Sequence, residues 1–117
     1  MDSATRILIV DDHPSFRRCA RAILEADGFR VVGEAADGEG AISAIDSLRP
    51  DVVLLDVQLP DMDGFAVLEQ LGAHAPPVVL VSSRDEDDYN GLIRASGARG
   101  FIAKAELSGA AVRLLLP

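Results

Sequence analysis

Three short apolar runs, Arg6-Ile7-Leu8-Ile9-Val10, Val52-Val53-Leu54-Leu55 and Val78-Val79-Leu80-Val81, are rich in β-branched residues and do not alternate with polar ones. Such runs are buried on both faces, as strands of a parallel sheet are. Between them the period changes. Phe16, Cys19, Ala20, Ile23 and Leu24 follow the i, i+3, i+4, i+7, i+8 stripe of an amphipathic helix, with Pro14 suited to its first turn and Gly28 to its far end. On that stripe Cys19 is expected to pack as a small hydrophobe.

Arg30 to Ala35 reads as a weaker strand, and Ala41, Ile42, Ile45 and Leu48 mark a second helix that stops before Pro50. Phe65, Leu68 and Leu71 mark a third helix. A fourth is expected over about Asp88 to Ser96, with Leu92, Ile93 and Ala95 as its apolar side. Gly100 to Ala103 is a short strand, and Leu107, Ala111, Leu114 and Leu115 stripe a last helix. Five alternating βα units need right-handed crossovers and a parallel sheet covered on both faces. The expected fold is therefore α/β, a doubly wound five-stranded parallel sheet with five helices. In such folds ligands sit beyond the carboxyl ends of the strands, near the point where strand order reverses.

Polar residues stand at those ends: Asp11-Asp12 after strand 1, Asp56 after strand 3, Ser82 after strand 4 and Lys104 after strand 5. Taken singly, each has an ordinary reading. Asp12 suits a helix cap, Asp56 a loop, Ser82 a bond to its own backbone and Lys104 a solvated surface. Taken together, they are brought to one rim by the sheet. Three carboxylates gathered there repel one another and raise their own pKa values unless a cation intervenes, which implies a divalent metal. All-oxygen ligands in small number favour Mg²⁺, with Mn²⁺ as a substitute. With Asp11 and Asp12 on the metal, Asp56 is left as a nucleophile. Lys104 then supplies a fixed positive charge and Ser82 a hydroxyl donor, the parts that phosphoryl transfer requires.

Four pieces in this order, Val10-Asp11-Asp12-His13-Pro14, Leu55-Asp56-Val57-Gln58-Leu59-Pro60-Asp61-Met62-Asp63-Gly64, Val81-Ser82-Ser83 and Gly97-Ala98-Arg99-Gly100-Phe101-Ile102-Ala103-Lys104, resemble response-regulator receiver domains of two-component signalling. The resemblance covers essentially the whole chain and implies a flavodoxin-like sheet of order 2-1-3-4-5. It implies Asp56 as phosphoacceptor, Asp11 and Asp12 as the acidic pair for Mg²⁺, and the backbone carbonyl of Gln58 as a further protein ligand. Ser82 resembles the hydroxyl that moves toward phosphate, with Lys104 as its charged partner. Phe101 resembles the aromatic that swings inward on activation; plain packing of a short strand is its other reading. Gln58 and Arg84 fall at positions that tune phosphoryl lifetime, where Arg84 would shield the phosphoryl group. Lys104-Ala105-Glu106-Leu107, in place of the Lys-Pro of many receivers, resembles the LuxR/NarL-like branch that often carries a C-terminal helix-turn-helix. Ser83 stands where many members have a smaller residue.

Composition narrows the function classes. At 117 residues the chain has room for one core, so 1–117 is expected to be one receiver domain without an output domain. A net charge of -8, from 19 acids against 11 bases, disfavours direct nucleic-acid binding by this segment. No apolar stretch is long enough to span a bilayer, and Met1-Asp2-Ser3-Ala4-Thr5 does not read as a signal sequence. A single cysteine is compatible with a reducing compartment, and a cytoplasmic location is expected. The expected partners are a histidine kinase or phosphotransfer protein, and a second copy or an output domain on the last helix. An aspartyl phosphatase is not expected, since the known enzymes of that type put the nucleophile on strand 1 and bind substrate with a cap domain; the chain is expected to catalyse its own phosphotransfer and dephosphorylation without exogenous turnover. Asp11-Asp12 would repel a flavin phosphate. The competing view is a receiver-like interaction module that works without phosphorylation.

Overall fold

The computed structural model describes residues 4–117; Met1 to Ser3, part of the segment read for a signal sequence, lie outside them. Strands β1 (Arg6–Val10), β2 (Arg30–Ala35), β3 (Val52–Asp56), β4 (Val78–Ser82) and β5 (Gly100–Ala103) alternate with helices α1 (Pro14–Ala26), α2 (Gly38–Leu48), α3 (Gly64–Leu71), α4 (Leu92–Ala95) and α5 (Gly109–Leu114). All neighbouring strands pair in parallel, in the order β2-β1-β3-β4-β5. This is the doubly wound arrangement expected from the sequence, with the order reversing between β1 and β3.

The absence of polar alternation in β1, β3 and β4 has a direct cause. Successive strand residues point to opposite faces, and both faces carry helices. Leu8, Val10, Val53, Leu55, Val78 and Leu80 pack with Ala41, Ile45, Val67, Leu68 and Ile93 under α2, α3 and α4. Ile7, Ile9, Val52, Leu54, Val79, Val81 and Ile102 pack with Ala20, Leu24, Phe29 and Val112 under α1 and α5.

Helix ends follow their local chemistry. Pro14 opens α1, and Gly28, at φ 91°, ends it with Phe29 N–H donating to Leu24 O and Gly28 N–H to Glu25 O. The side chains of Asp37, Asp63 and Ser108 cap α2, α3 and α5. At Gly64 a Cβ would come within 2.9 Å of the Asp56 carbonyl oxygen, so glycine is what lets α3 start directly against the end of β3.

Three expectations need correction. The helix expected over Asp88 to Ser96 is broken. Asn90 and Gly91 both adopt left-handed φ, at 48° and 82°, and divide a short 3₁₀ turn, Glu86–Tyr89, from the four-residue α4. Cys19 is exposed, because α1 buries the Ala20 and Leu24 line and position 19 is turned about 100° from Ala20. Ser108 caps α5, which begins at Gly109 and so leaves Leu107 outside the helix; in the resulting phase Val112 points inward and Leu114 is 86% exposed rather than on the buried stripe.

These placements separate two leucines of similar appearance in sequence. In urea denaturation Leu54→Ala is expected to cost about 2–5 kcal/mol, whereas Leu114→Ala is expected to cost less than about 0.5 kcal/mol.

Candidate functional site

Sheet register assembles the site. Val10 lies beside Leu55, Asp56 beside Val81 and Ser82 beside Ala103, so Asp11 follows alongside Asp56 and Lys104 emerges next to Ser82. Strand parity then divides the group. Asp11, Asp56 and Lys104 continue the alternation of Ile9, Leu54 and Ile102 on the α1/α5 side, whereas Ser82 continues that of Leu80 on the opposite side.

On the first side two carboxylates share one ammonium. Lys104 Nζ lies 2.6 Å from Asp11 Oδ2 and 3.2 Å from Asp56 Oδ2. Both acids are buried. Asp56 Oδ1 accepts from the Gln58 N–H at 3.1 Å, and Asp11 Oδ1 accepts from the His13 N–H at 2.8 Å. The His13 ring packs against Asp11 and the neighbouring Asp12, with Nδ1 3.0 Å from Asp11 Oδ1 and 3.1 Å from Asp12 Oδ1. Beneath the lysine, the Phe16 ring centroid lies 4.5 Å from Nζ, a cation–π contact that holds the head group from the α1 side. The backbone of the acidic turn is tied down as well: Arg17 donates to the Asp11 carbonyl at 2.6 Å while its Nε bonds Glu34.

The two buried acids are driven in opposite directions. Burial pushes the Asp56 carboxyl up to about 6, with the charge of Asp11 adding to it and the Gln58 amide and Lys104 only partly offsetting it. Burial also acts upward on Asp11, but the close ion pair with Lys104 and the hydrogen bond from the His13 amide outweigh it and hold this carboxyl below its usual value. The Lys104 ammonium is raised despite burial, because Asp11 and Asp56 both favour its charged form. The general rise expected for clustered carboxylates is thus confined to one of this buried pair, since a protein cation reaches the other first.

Carboxylate oxygens of Asp11, Asp12 and Asp56 and a ring nitrogen of His13 lie within 4.8 Å of one another. Asp11 Oδ2 and Asp12 Oδ1 are buried atoms close to Lys104 Nζ and His13 Nδ1 respectively, but with no aligned hydrogen bond. Three clustered carboxylates, two of them with an oxygen that lacks a hydrogen bond, suit a hard divalent cation such as Mg²⁺. His13 is a poorer donor for that ion, and its side chain is 65% exposed.

Ser82 is buried on the other side of the sheet. Its Oγ lies 2.6 Å from the Tyr89 hydroxyl and accepts from the Arg84 N–H at 3.0 Å; Asp56 is not among its hydrogen-bond partners. Tyr89 is itself buried, between Phe65 at 5.8 Å and Phe101 at 5.9 Å between ring centroids. The Arg84 and Gln58 side chains are exposed at the rim. The Lys104–Ala105 peptide is trans. Sequence reasoning passed over His13, Phe16 and Tyr89 as members of this neighbourhood. Each had a faint signal: His13 adjoins the acidic pair, Phe16 opens the α1 stripe, and Tyr89 is the single tyrosine of the chain.

The family model described as "Response regulator receiver domain" matches residues 7–112. Over 103 residues the chain is 41% identical to the protein-glutamate methylesterase/protein-glutamine glutaminase of Symbiobacterium thermophilum, covering 85% of this chain and 28% of that protein. Identity to the DNA-binding transcriptional activator EvgA of Escherichia coli is 31% over 101 residues, 85% of this chain and 50% of that one. Both relatives extend well beyond the part they share with this chain. The solved signal receiver domain of the response regulator NarL from Mycobacterium tuberculosis superposes with a TM-score of 0.84 at 34% identity, covering 96% of each chain.

A carboxyl raised from 3.8 to about 6 binds more protons folded than unfolded across that window, so the stability it contributes falls as pH rises through it. Asp56→Asn removes that loss and leaves Lys104 its closer partner, Asp11. The variant is expected to gain on the order of 2 kcal/mol over the parent at pH 7 and little at pH 4, read by urea denaturation at both values.

Proposed function

Because the chain belongs to the response regulator receiver domain family, we propose that it is a phosphorylation-dependent switch whose acceptor is Asp56. The observation that carries the reading is the unequal treatment of two buried acids by one lysine. Asp11 is neutralised, whereas Asp56 keeps the weaker hold and the raised pKa of a group that gains from acquiring a new partner.

In the transfer, an Asp56 carboxylate oxygen forms a bond to phosphorus as the bond from phosphorus to the donor breaks, and that electron pair leaves with the donor. Asp11, Asp12, Asp56 and the backbone carbonyl of Gln58 would hold Mg²⁺, or Mn²⁺ in its place, which when bound supplies positive charge to the phosphoryl oxygens. Lys104 is already poised within 3.2 Å of Asp56 and becomes a counter-ion to the new phosphoryl group. Ser82 reads the product by turning its hydroxyl toward it, and Phe101 follows on the α3/α4 side. These differential contacts bias the chain toward the phosphorylated arrangement.

A receiver of this kind is a signalling domain. The proposed donor is a histidine kinase or phosphotransfer protein, acting in the cytoplasm on a chain read as one receiver domain over 1–117. No described helix is long and apolar enough to cross a membrane. Leu114, exposed on α5, supports a contact with a second copy or an output domain at that helix. Methylesterase or DNA-binding activity belongs to the named relatives and is not part of the proposal for these residues.

Incubation with acetyl phosphate and Mg²⁺ followed by intact mass spectrometry is expected to show one added phosphoryl group on the parent and none on Asp56→Ala; an unmodified parent under forcing conditions contradicts the reading. Arg84, exposed beside the site, is proposed to screen the acyl phosphate from water. Loss of the adduct after donor removal is therefore expected to be severalfold faster in Arg84→Ala, and an unchanged decay removes Arg84 from the account.

A further inference from the structure

Between Ser83 and Asn90 the chain is exposed at every position except Tyr89. The loop is built to turn that one residue inward. Asp85 and Asp88 form a reciprocal capping box around the 3₁₀ turn Glu86–Tyr89, and left-handed Asn90 and Gly91 reverse the chain directly after it. The hydroxyl so delivered meets Ser82 Oγ at 2.6 Å, and the ring fills the space between Phe65 on α3 and Phe101 on β5.

We propose that Tyr89 is a positioning residue, a latch that holds the Ser82 hydroxyl on the α3/α4 side of the sheet and away from Asp56 until the acceptor is phosphorylated. The inference rests on the reading of Asp56 as phosphoacceptor. Its geometric basis is the division of the rim by strand parity, with Asp11, Asp56 and Lys104 on one side and Ser82 on the other. With the Arg84 N–H and the Tyr89 hydroxyl both engaged, the Ser82 side chain is fixed in a rotamer that makes no bond to Asp56. Reaching a phosphoryl group on Asp56 requires that rotamer to change and the bond to Tyr89 to break.

Breaking it has a second effect. A buried phenol that loses its partner is driven to find another or to move. Tyr89 touches Phe101, so release of Ser82 loosens the aromatic trio and carries the change from β4 to β5. Tyr89 thereby supplies the physical link between the two residues, Ser82 and Phe101, assigned to switching.

The chain has one tyrosine and no tryptophan, so its near-ultraviolet absorbance and intrinsic fluorescence report Tyr89 without a label. The experiment records the tyrosine spectra of the parent and Ser82→Ala, then follows parent and Tyr89→Phe during reaction with acetyl phosphate and Mg²⁺, with intact mass in parallel. Phosphorylation of the parent is expected to shift the tyrosine spectrum in the direction that Ser82→Ala shifts it without phosphate. Tyr89→Phe, which keeps the ring, is expected to acquire the adduct roughly 2- to 10-fold faster, the factor that corresponds to one neutral hydrogen bond. A merely structural role for the hydroxyl would not accelerate the reaction. Adduct formation with an unmoved tyrosine spectrum, or an equal or slower rate in Tyr89→Phe, overturns the latch. If the parent acquires no adduct, the reading of Asp56 fails instead; identical spectra of the unphosphorylated parent and Ser82→Ala still overturn the latch by themselves.

Discussion

Two carboxylates, Asp11 and Asp56, stand out of solvent at the carboxyl rim of the sheet with one ammonium, Lys104, between them. A buried ion pair recovers its desolvation cost only when geometry and charge are well matched, and here the charges are not. The closer acid takes most of the lysine. The other is left with a raised pKa, and the rim as a whole carries excess negative charge. That imbalance is tolerated because the rest of the fold enforces it. Parallel pairing of β1, β3, β4 and β5 sets the three residues side by side, and Gly64 admits α3 close against Asp56. Arg17 and Phe16 brace the turn and the lysine from α1.

The same imbalance underlies the chemistry proposed for the site. A cluster of hard oxygen donors with unmatched charge favours a divalent cation, and a carboxylate with a weak hold on its counter-ion favours a phosphoryl group that brings new hydrogen-bond acceptors to that counter-ion. Structural economy alone would place a second cation at the rim or replace Asp56 with a neutral residue. A stable fold that keeps a destabilising acid at one rim position follows the pattern of sites in which local cost accompanies function.

Much of this arrangement is legible in sequence, and the limits have physical causes. Strands buried on both faces advertise themselves by unbroken β-branched runs, so β1, β3, β4 and the polar residues at their ends stand out. Residues that act through packing do not. Tyr89 lies in a loop whose helical appearance depended on Leu92, Ile93 and Ala95, and nothing in the periodicity announces that Asn90 and Gly91 turn left-handed and divide it. Helix phase is the other weak point. The start of α5 at Gly109, beyond Leu107, sets a phase in which Val112 rather than Leu114 is buried, and the flank of the α1 stripe decides that Cys19 faces solvent. Clustered carboxylates are visible in sequence, whereas their unequal pKa values depend on burial and on which acid the His13 amide and Lys104 hold more closely, which no spacing rule contains.

Lys104 lies closer to one of the two buried acids and leaves the other charged only at a cost, which a divalent cation would relieve. Carbon-detected NMR titration of the Asp56 carboxyl, with and without Mg²⁺, measures this directly. A midpoint near 6 is expected in the absence of the cation and a clearly lower one in its presence. A midpoint at the ordinary carboxylate value that Mg²⁺ leaves unchanged would contradict it.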